Sequence, residues 1–249
     1  MEPLSDIELY YFPSIEGSSL PQILVGEDSH HIINVMKHRV GSKFHITNGK
    51  GSLFEVVLLK ILKNSTIEVI ANIKLQTKPV APLIFFYLPI LKSSDRMEFA
   101  LEKLVELGYT NFVYFRPTRA MSKSKLLNEE RLNKIALSAM KQSLHLYTPQ
   151  LEFDYMLDGL PINDECMNII FESWGSESLQ EMVDIVLPYI NNARIVRFFF
   201  GPEGGLHGNE INKIAGARIV QLTESRLRSE TAVIYVGSVL RNYILKGIL

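Results

Sequence analysis

In the first third of the chain the apolar positions come in short runs rich in β-branched and aromatic residues. Beyond about residue 80 such runs alternate with stretches whose apolar positions recur at helical spacing. The early runs are Glu8–Phe12, Phe44–Thr47, Leu53–Leu59 and Thr66–Ala71, each read as a strand. Asn48-Gly49-Lys50-Gly51 makes a hairpin turn between the second and third. Asp28 or Ser29 can cap a short helix that runs to about Lys37 and stops at Gly41. Short strands at this spacing predict a small β-barrel with one inserted helix. A linker from Gln76 to Pro82, with Pro79 and Pro82, separates it from the rest.

The second rhythm begins with Leu83–Leu88, a wholly apolar strand of the kind found in a parallel sheet covered on both faces. A helix follows from Ser94 to Leu107, with Met97, Leu101, Leu104 and Val105 on one face and Gly108 as its stop. Strands are then predicted at Asn111–Phe115, Met167–Phe171, Ile195–Phe200 and Ile219–Leu222. Helices are predicted at Leu126–Leu144, Glu177–Ile190, Asn209–Ala215 and Glu230–Leu245. Alternation of this kind predicts parallel βαβ units and an α/β class. The expected domains are residues 1–76 and 77–249.

Composition changes little in this picture. The 249 residues are 47% hydrophobic and 21% charged, ordinary values for a globular protein. No apolar run is long enough to span a membrane and no N-terminal signal pattern is read, so a cytoplasmic protein without a membrane partner is expected. One cysteine, Cys166, excludes intrachain disulfides and cysteine-based metal clusters. Charge matters more. The net charge is only −1, yet residues 142–193 carry no Lys or Arg. Residues 29–54 carry no acid but hold Lys37, Arg39, Lys43, Lys50 and four histidines. Residues 107–128 are again acid-free, with Arg116, Arg119, Lys123 and Lys125. Such patches are either solvated faces or places for a polyanion.

Several chemistries are absent. There is no Walker-type phosphate loop, no dinucleotide-binding glycine fingerprint and no nucleophile elbow. No His/Asp/Glu set has metal-ligand spacing, and adjacent His30 and His31 would point about a hundred degrees apart on a helix, so no metal is expected. What remains is the stretch Arg197 to Ala232, where two irregular loops follow two strands. Ligands gather at such carboxyl ends in open α/β sheets. Gly201-Pro202-Glu203-Gly204-Gly205 is either a plain strand-to-helix turn or a loop that permits close approach to bare backbone, where Glu203 argues against phosphate and tolerates a cationic ligand. In the second loop Ser229 reads as an N-cap with Glu230 in the first turn, but Arg226 and Arg228 precede a helix start where cations are disfavoured. A reactive or anionic partner would account for them.

Together these loops resemble a known family. F-F-F-G-P-E-G-G-L at 198–206, followed by L-x-x-S-R-L-R-S-E-T-A at 222–232, is similar to the ribosomal RNA small subunit methyltransferase E family of the SPOUT superfamily. Lys92 to Glu98, Glu102 to Gly108, Arg116 to Arg119, and Ala139 to Ser143 with Pro149 match further motifs in order. So do His31 to Lys37 and Asn48 to Gly51. The resemblance implies an N-terminal PUA-like β-barrel and a C-terminal SPOUT-type α/β domain with a deep trefoil knot. It also implies a homodimer that uses S-adenosylmethionine to methylate N3 of one uridine near the 3′ end of 16S ribosomal RNA, in the 30S small subunit. Cofactor residues would be Phe200, Gly201, Glu203, Gly204, Gly205, Leu222, Leu227 and Glu172. Arg228 would be catalytic. Lys37, Arg39, Lys50, Arg119 and Gln142 would hold RNA. The chain departs from the family at Asn34, Lys37, Leu144-His145 and Ser225, so another RNA target, or a non-catalytic RNA-binding protein, stays open.

Overall fold

The computed structural model describes residues 7–79, 83–117, 127–155, 157, 166–214 and 216–247. Chain contacts group it into two compact units, one of Met1–Pro79 with Leu137–Thr148 and one of Val80–Ala136 with Pro149–Leu249.

Five strands are described in the first unit: β1 (Leu9–Tyr11), β2 (Ser18–Leu24), β3 (Lys43–Thr47), β4 (Ser52–Ile61) and β5 (Ile67–Gln76). They form one sheet in the order β1-β3-β4-β5-β2, antiparallel except for β1 beside β3. Inward residues such as Tyr10, Phe44, Ile46, Phe54, Val56 and Val69 make its core. β2 has no counterpart in the sequence reading. It is an edge strand that holds Pro21 and leaves Leu20 and Ile23 exposed, so it lacks the alternation that marks a half-buried strand. The helix expected through Lys37 is shorter. α1 (Glu27–His30) passes into a π-helical turn over His31–Val35, and Lys37 already has φ 59°. Asp28 does not cap it. Its carboxylate accepts from the Tyr11 N–H at 2.7 Å and from Lys141 Nζ at 2.7 Å. A long-range tether has taken the oxygen that a cap would use.

The second stretch of this unit, Leu137–Thr148, is fastened by backbone. The Gly51 N–H donates to the Leu146 carbonyl at 2.8 Å, and the Thr148 N–H donates to the Gly49 carbonyl at 2.9 Å. Leu146 also packs with Leu9, Leu53 and Leu144.

The second unit holds, among the described residues, a wholly parallel seven-stranded sheet. Its elements are β6 (Ile84–Pro89), α2 (Ser94–Glu106), β7 (Asn111–Phe115), α3 (Glu129–Gln142, whose last turns belong to the first unit) and β8 (Gln150–Tyr155). Then come β9 (Cys166–Phe171), β10 (Glu177–Ser178), α4 (Leu179–Asn191), β11 (Ile195–Phe200), α5 (Gly208–Ile211), β12 (Arg218–Gln221) and α6 (Ser229–Gly247). The order is β10-β12-β9-β11-β6-β7-β8, so the winding reverses beside β6. β8 is an edge strand that the sequence reading left out, and α5 is one turn rather than a full helix. Ser178 starts α4 through a capping box with Glu181, which displaces the predicted start at Glu177. The central strands are aromatic. Phe198 and Phe200 lie on one face, and Phe200 stacks on Phe171 at 4.7 Å and on Phe86 at 6.2 Å. α2 and α6 pack together on the sheet, where the Tyr109 hydroxyl donates to the Gly237 carbonyl at 2.9 Å. A Cβ on Gly237 would come within 2.6 Å of Leu104 Cδ2, so glycine permits this approach. No described helix is long and apolar enough to cross a membrane.

Candidate active site

Where β9, β11 and β12 end, their following loops enclose a cavity of about 410 Å³. Its walls are residues 171–174 after β9, 200–206 after β11 and 222–227 after β12, with Ser229 and Ala232 from α6. The tight turn after β11 depends on glycine. Gly205 has φ 72°, and a Cβ there would lie 2.9 Å from a Glu172 carboxylate oxygen. A Cβ on Gly201 would stand 2.9 Å from the Leu206 nitrogen. Bare backbone lets the turn fold back on itself and leaves the cavity open.

Three side chains lock the loops to one another. Glu172 accepts the Leu206 N–H at 2.7 Å, which fastens the β9 loop to the β11 loop. Burial raises the Glu172 carboxyl above the ordinary carboxylate range, and the Leu206 hydrogen bond opposes that rise only in part. The Ser229 hydroxyl donates to the Gly201 carbonyl at 2.8 Å. The Arg226 guanidinium donates to the Glu203 carbonyl. Ser229 is therefore the first residue of α6 rather than its cap. The first helical hydrogen bond is accepted by the Arg228 carbonyl from the Ala232 N–H at 2.9 Å, and the Ser229 hydroxyl proton points across to the Gly201 carbonyl.

All eight residues named for the cofactor, Phe200, Gly201, Glu203, Gly204, Gly205, Leu222, Leu227 and Glu172, line this one cavity. Arg228 does not line it; its side chain is exposed beside it. Sequence reading missed Trp174, 60% exposed at the end of the β9 loop, and it missed Arg96. Arg96, in the first turn of α2, lies 3.4 Å from Glu203 and 3.5 Å from Glu230, so it joins the β11 loop to the start of α6. Glu230 is thus an ion-pair partner as well as a favourable charge at a helix start. No motif pairs Arg96 with residues 107 and 134 positions away; only its place in the Lys92–Glu98 match could have singled it out.

The walls suit a cation with an apolar body. Three carboxylates, Glu172, Glu203 and Glu224, and one guanidinium, Arg226, line the cavity, the Glu203 carboxylate being paired with Arg96, while Phe171, Phe200, Leu206, Leu222 and Leu227 supply apolar surface. Among the described residues no group of three or more His, Cys, Asp or Glu could hold a metal ion. Of the residues named for RNA, Lys37, Arg39 and Lys50 are exposed in the first unit, as is Gln142. Arg119 lies outside the described residues.

Comparison with known proteins agrees with this geometry. A family model described as an RNA methyltransferase domain matches residues 79–241, and one described as an RNA methyltransferase PUA domain matches residues 24–71. Ribosomal RNA small subunit methyltransferase E of Bacillus subtilis is 27% identical over 227 residues, covering 86% of this chain and 87% of the relative. The crystal structure of a probable rRNA-methyltransferase from Porphyromonas gingivalis superposes with a TM-score of 0.77 at 27% identity, covering 97% of this chain and 100% of that one. A ribosomal RNA small subunit methyltransferase E from Neisseria gonorrhoeae, bound to S-adenosyl methionine, gives 0.75 at 25% identity over 95% and 98%.

Proposed function

The chain belongs to the RNA methyltransferase domain family, with a PUA-like domain ahead of it, and from that premise we propose that it methylates N3 of a uridine in 16S ribosomal RNA. The methyl donor is S-adenosylmethionine, whose sulfonium supplies an electrophilic methyl group to an acceptor held in line with it. The observation that carries the reading is the single cavity on which the loops after β9, β11 and β12 converge, with carboxylates around an apolar slot. Phe200 and Leu227 would flank an adenine, and the turn at Gly201–Gly205 would let a ligand reach backbone. Glu224, and Glu172 in its ionised form, would offset the positive charge of the sulfonium and ammonium groups, while the Glu203 carboxylate is already paired with Arg96.

Uridine N3 must lose a proton, so negative charge grows on the base during transfer. Arg228, exposed beside the cavity rather than within it, would meet a base arriving from outside. We assign it stabilisation of that charge, which is where a preorganised cation gives most. Lys37, Arg39, Lys50, Arg119 and Gln142 hold RNA in this reading, the basic ones through phosphates. The reading includes the trefoil knot that the resemblance implies, and a homodimer. Phe99 on α2 (49% exposed) and Tyr235 on α6 (38% exposed) are large apolar side chains on two packed helices and would meet a second copy there.

The decisive experiment combines calorimetry with S-adenosylmethionine and methyl incorporation into 30S particles from a strain lacking the gene, followed by mass mapping of the modified nucleotide. Binding together with a methyl on uridine N3 is expected. A methyl on another base or on a ribose hydroxyl would keep the enzyme and discard the target. Sedimentation of the pure protein at twice the chain mass tests the dimer.

A further inference from the structure

A second cavity, of about 300 Å³, lies in the same unit beside the starts of α2 and α3. Leu91 and Lys92 enter it directly after β6, so it opens at the same carboxyl edge of the parallel sheet as the larger cavity. Leu91, Met97, Leu127 and Leu132 supply apolar surface; Lys92, Ser94, Asp95, Glu98, Asn128 and Arg131 supply polar atoms. The size matches the low end of small-ligand pockets, roughly 300 Å³ and up. It suits one flat ring system with its sugar.

The charges argue against a phosphate site. Arg131 is spent on Glu98, with Nε and Nη2 on the two carboxylate oxygens at 2.6 and 2.7 Å. The Asn128 side-chain oxygen is spent as well, accepting the Arg131 N–H at 3.0 Å at the start of α3. What is left lining the cavity is the Asn128 NH2 and Lys92 Nζ as donors and the Asp95 carboxylate as an acceptor, one of its oxygens already taking the Ser94 hydroxyl at 3.5 Å, so that one cation and one anion offset each other. Donors and an acceptor over apolar walls fit the edge of a nucleobase, with carbonyl oxygens beside a ring N–H. Arg96, between the lining residues Asp95 and Met97, carries the connection to Glu203 and Glu230 at the cofactor cavity. The first turn of α2 therefore serves both cavities.

We propose that this second cavity receives an unstacked base of the substrate RNA. The inference rests on the reading of the chain as an RNA methyltransferase. The target uridine must present its N3 at the larger cavity, so the base held here by its edge is a neighbour of the target, unstacked when the target is taken out of its stack.

The test uses the full-length protein with S-adenosylhomocysteine present and a 4-thiouridine-substituted fragment of 16S ribosomal RNA as photo-crosslinker. Crosslinked peptides mapped by mass spectrometry are expected within Leu91–Glu98 or Leu127–Leu132. Crosslinks confined to other peptides would overturn the proposal whether or not the protein turns over. Two variants read the same point kinetically. Asn128→Asp keeps the oxygen that caps α3 but removes the donor, and Ser94→Trp fills the cavity. Each is expected to raise the KM for RNA about tenfold, the scale of one lost hydrogen bond, with S-adenosylhomocysteine affinity within about twofold of the parent. An unchanged KM in both would sink the base pocket and leave the methyltransferase standing. Failure of the parent to bind S-adenosylhomocysteine would count against the enzyme reading instead, while the crosslink map still decides whether RNA enters here.

Discussion

Two turns in this protein carry nearly the same glycine signature and do opposite things. Asn48-Gly49-Lys50-Gly51 joins β3 to β4, and Gly201-Pro202-Glu203-Gly204-Gly205 follows β11. At the first turn, glycine makes room for other parts of the same unit. A Cβ on Gly49 would overlap the Thr148 hydroxyl, and one on Gly51 would overlap the Tyr147 ring and stand 2.8 Å from the Thr77 carbonyl. Their amide and carbonyl groups hold Leu146 and Thr148, so this turn is filled. At the second, the nearest neighbours are the loop itself and the Glu172 carboxylate, and the space beyond is a cavity. Glycine at a turn says that backbone comes close to something. It does not say whether that something is more protein or a ligand.

The contrast breaks most visibly under substitution. Gly49→Ala should be the most damaging change to the fold. It forces a side chain into φ 72° and into Thr148, about 1–2 kcal/mol for the first and about 1–3 for the second. Chemical denaturation should show about 3 kcal/mol lost, and the molecules that remain folded should bind S-adenosylmethionine as before. Weakened binding in the folded fraction would mean that the first turn also contributes to a ligand site.

Arg228→Ala comes next. Turnover should fall about a hundredfold, as when one preorganised donor to developing charge is removed, with cofactor affinity retained. Equal loss of both would move Arg228 into the cofactor pocket. Gly205→Ala should cost about 1–2 kcal/mol through its φ of 72° and, unlike Gly49→Ala, should weaken S-adenosylmethionine binding about tenfold as Glu172 and the turn are pushed apart. Calorimetry on both glycine variants side by side makes the comparison quantitative.

Glu172 provides a test by pH. Its folded-state pKa is raised, so the fold prefers the neutral carboxyl. The stability it contributes is complete below the ordinary value of 4.5 and is lost as pH rises through the higher folded value. Glu172→Gln should remove that fall from a curve of unfolding free energy against pH; an unchanged curve would assign the fall to another group. The smallest effect is expected at Leu144. It follows α3 with φ 59°, and it packs half-buried against Leu9, Leu53 and Leu146. Relief of about 1–2 kcal/mol of backbone strain in Leu144→Gly is offset by lost apolar burial of similar size, so the net change should stay under about 1 kcal/mol. A loss well beyond that would make Leu144 chiefly a packing residue.

Much of the fold was legible in the chain, and its limits follow from the same physics. Asn111–Phe115 and Ile195–Phe200 were read to the residue, because a buried parallel strand shows itself as a continuous apolar run between polar turns. The edge strands β2 and β8 were not, because an edge needs neither uniform burial nor alternation. The expected caps at Asp28 and Ser229 failed because each residue already lies inside its helix, where Asp28 accepts from Tyr11 and Lys141 and the Ser229 hydroxyl donates to the Gly201 carbonyl.

By itself the sequence determined the α/β class, the change of rhythm near residue 80, the eight residues that line one cavity and the family to which the chain belongs. Those depend on local periodicity, on glycine and on short ordered motifs, all of which are written along the chain. Only the tertiary structure decided that Leu137–Thr148 is grouped with the first unit, that Arg228 stands outside the cavity while Arg226 lines it, and that Arg96 joins Glu203 to Glu230. These rest on contacts between residues from a few dozen to more than a hundred positions apart. Such contacts are set by how strands stack and loops meet, and no local pattern records them.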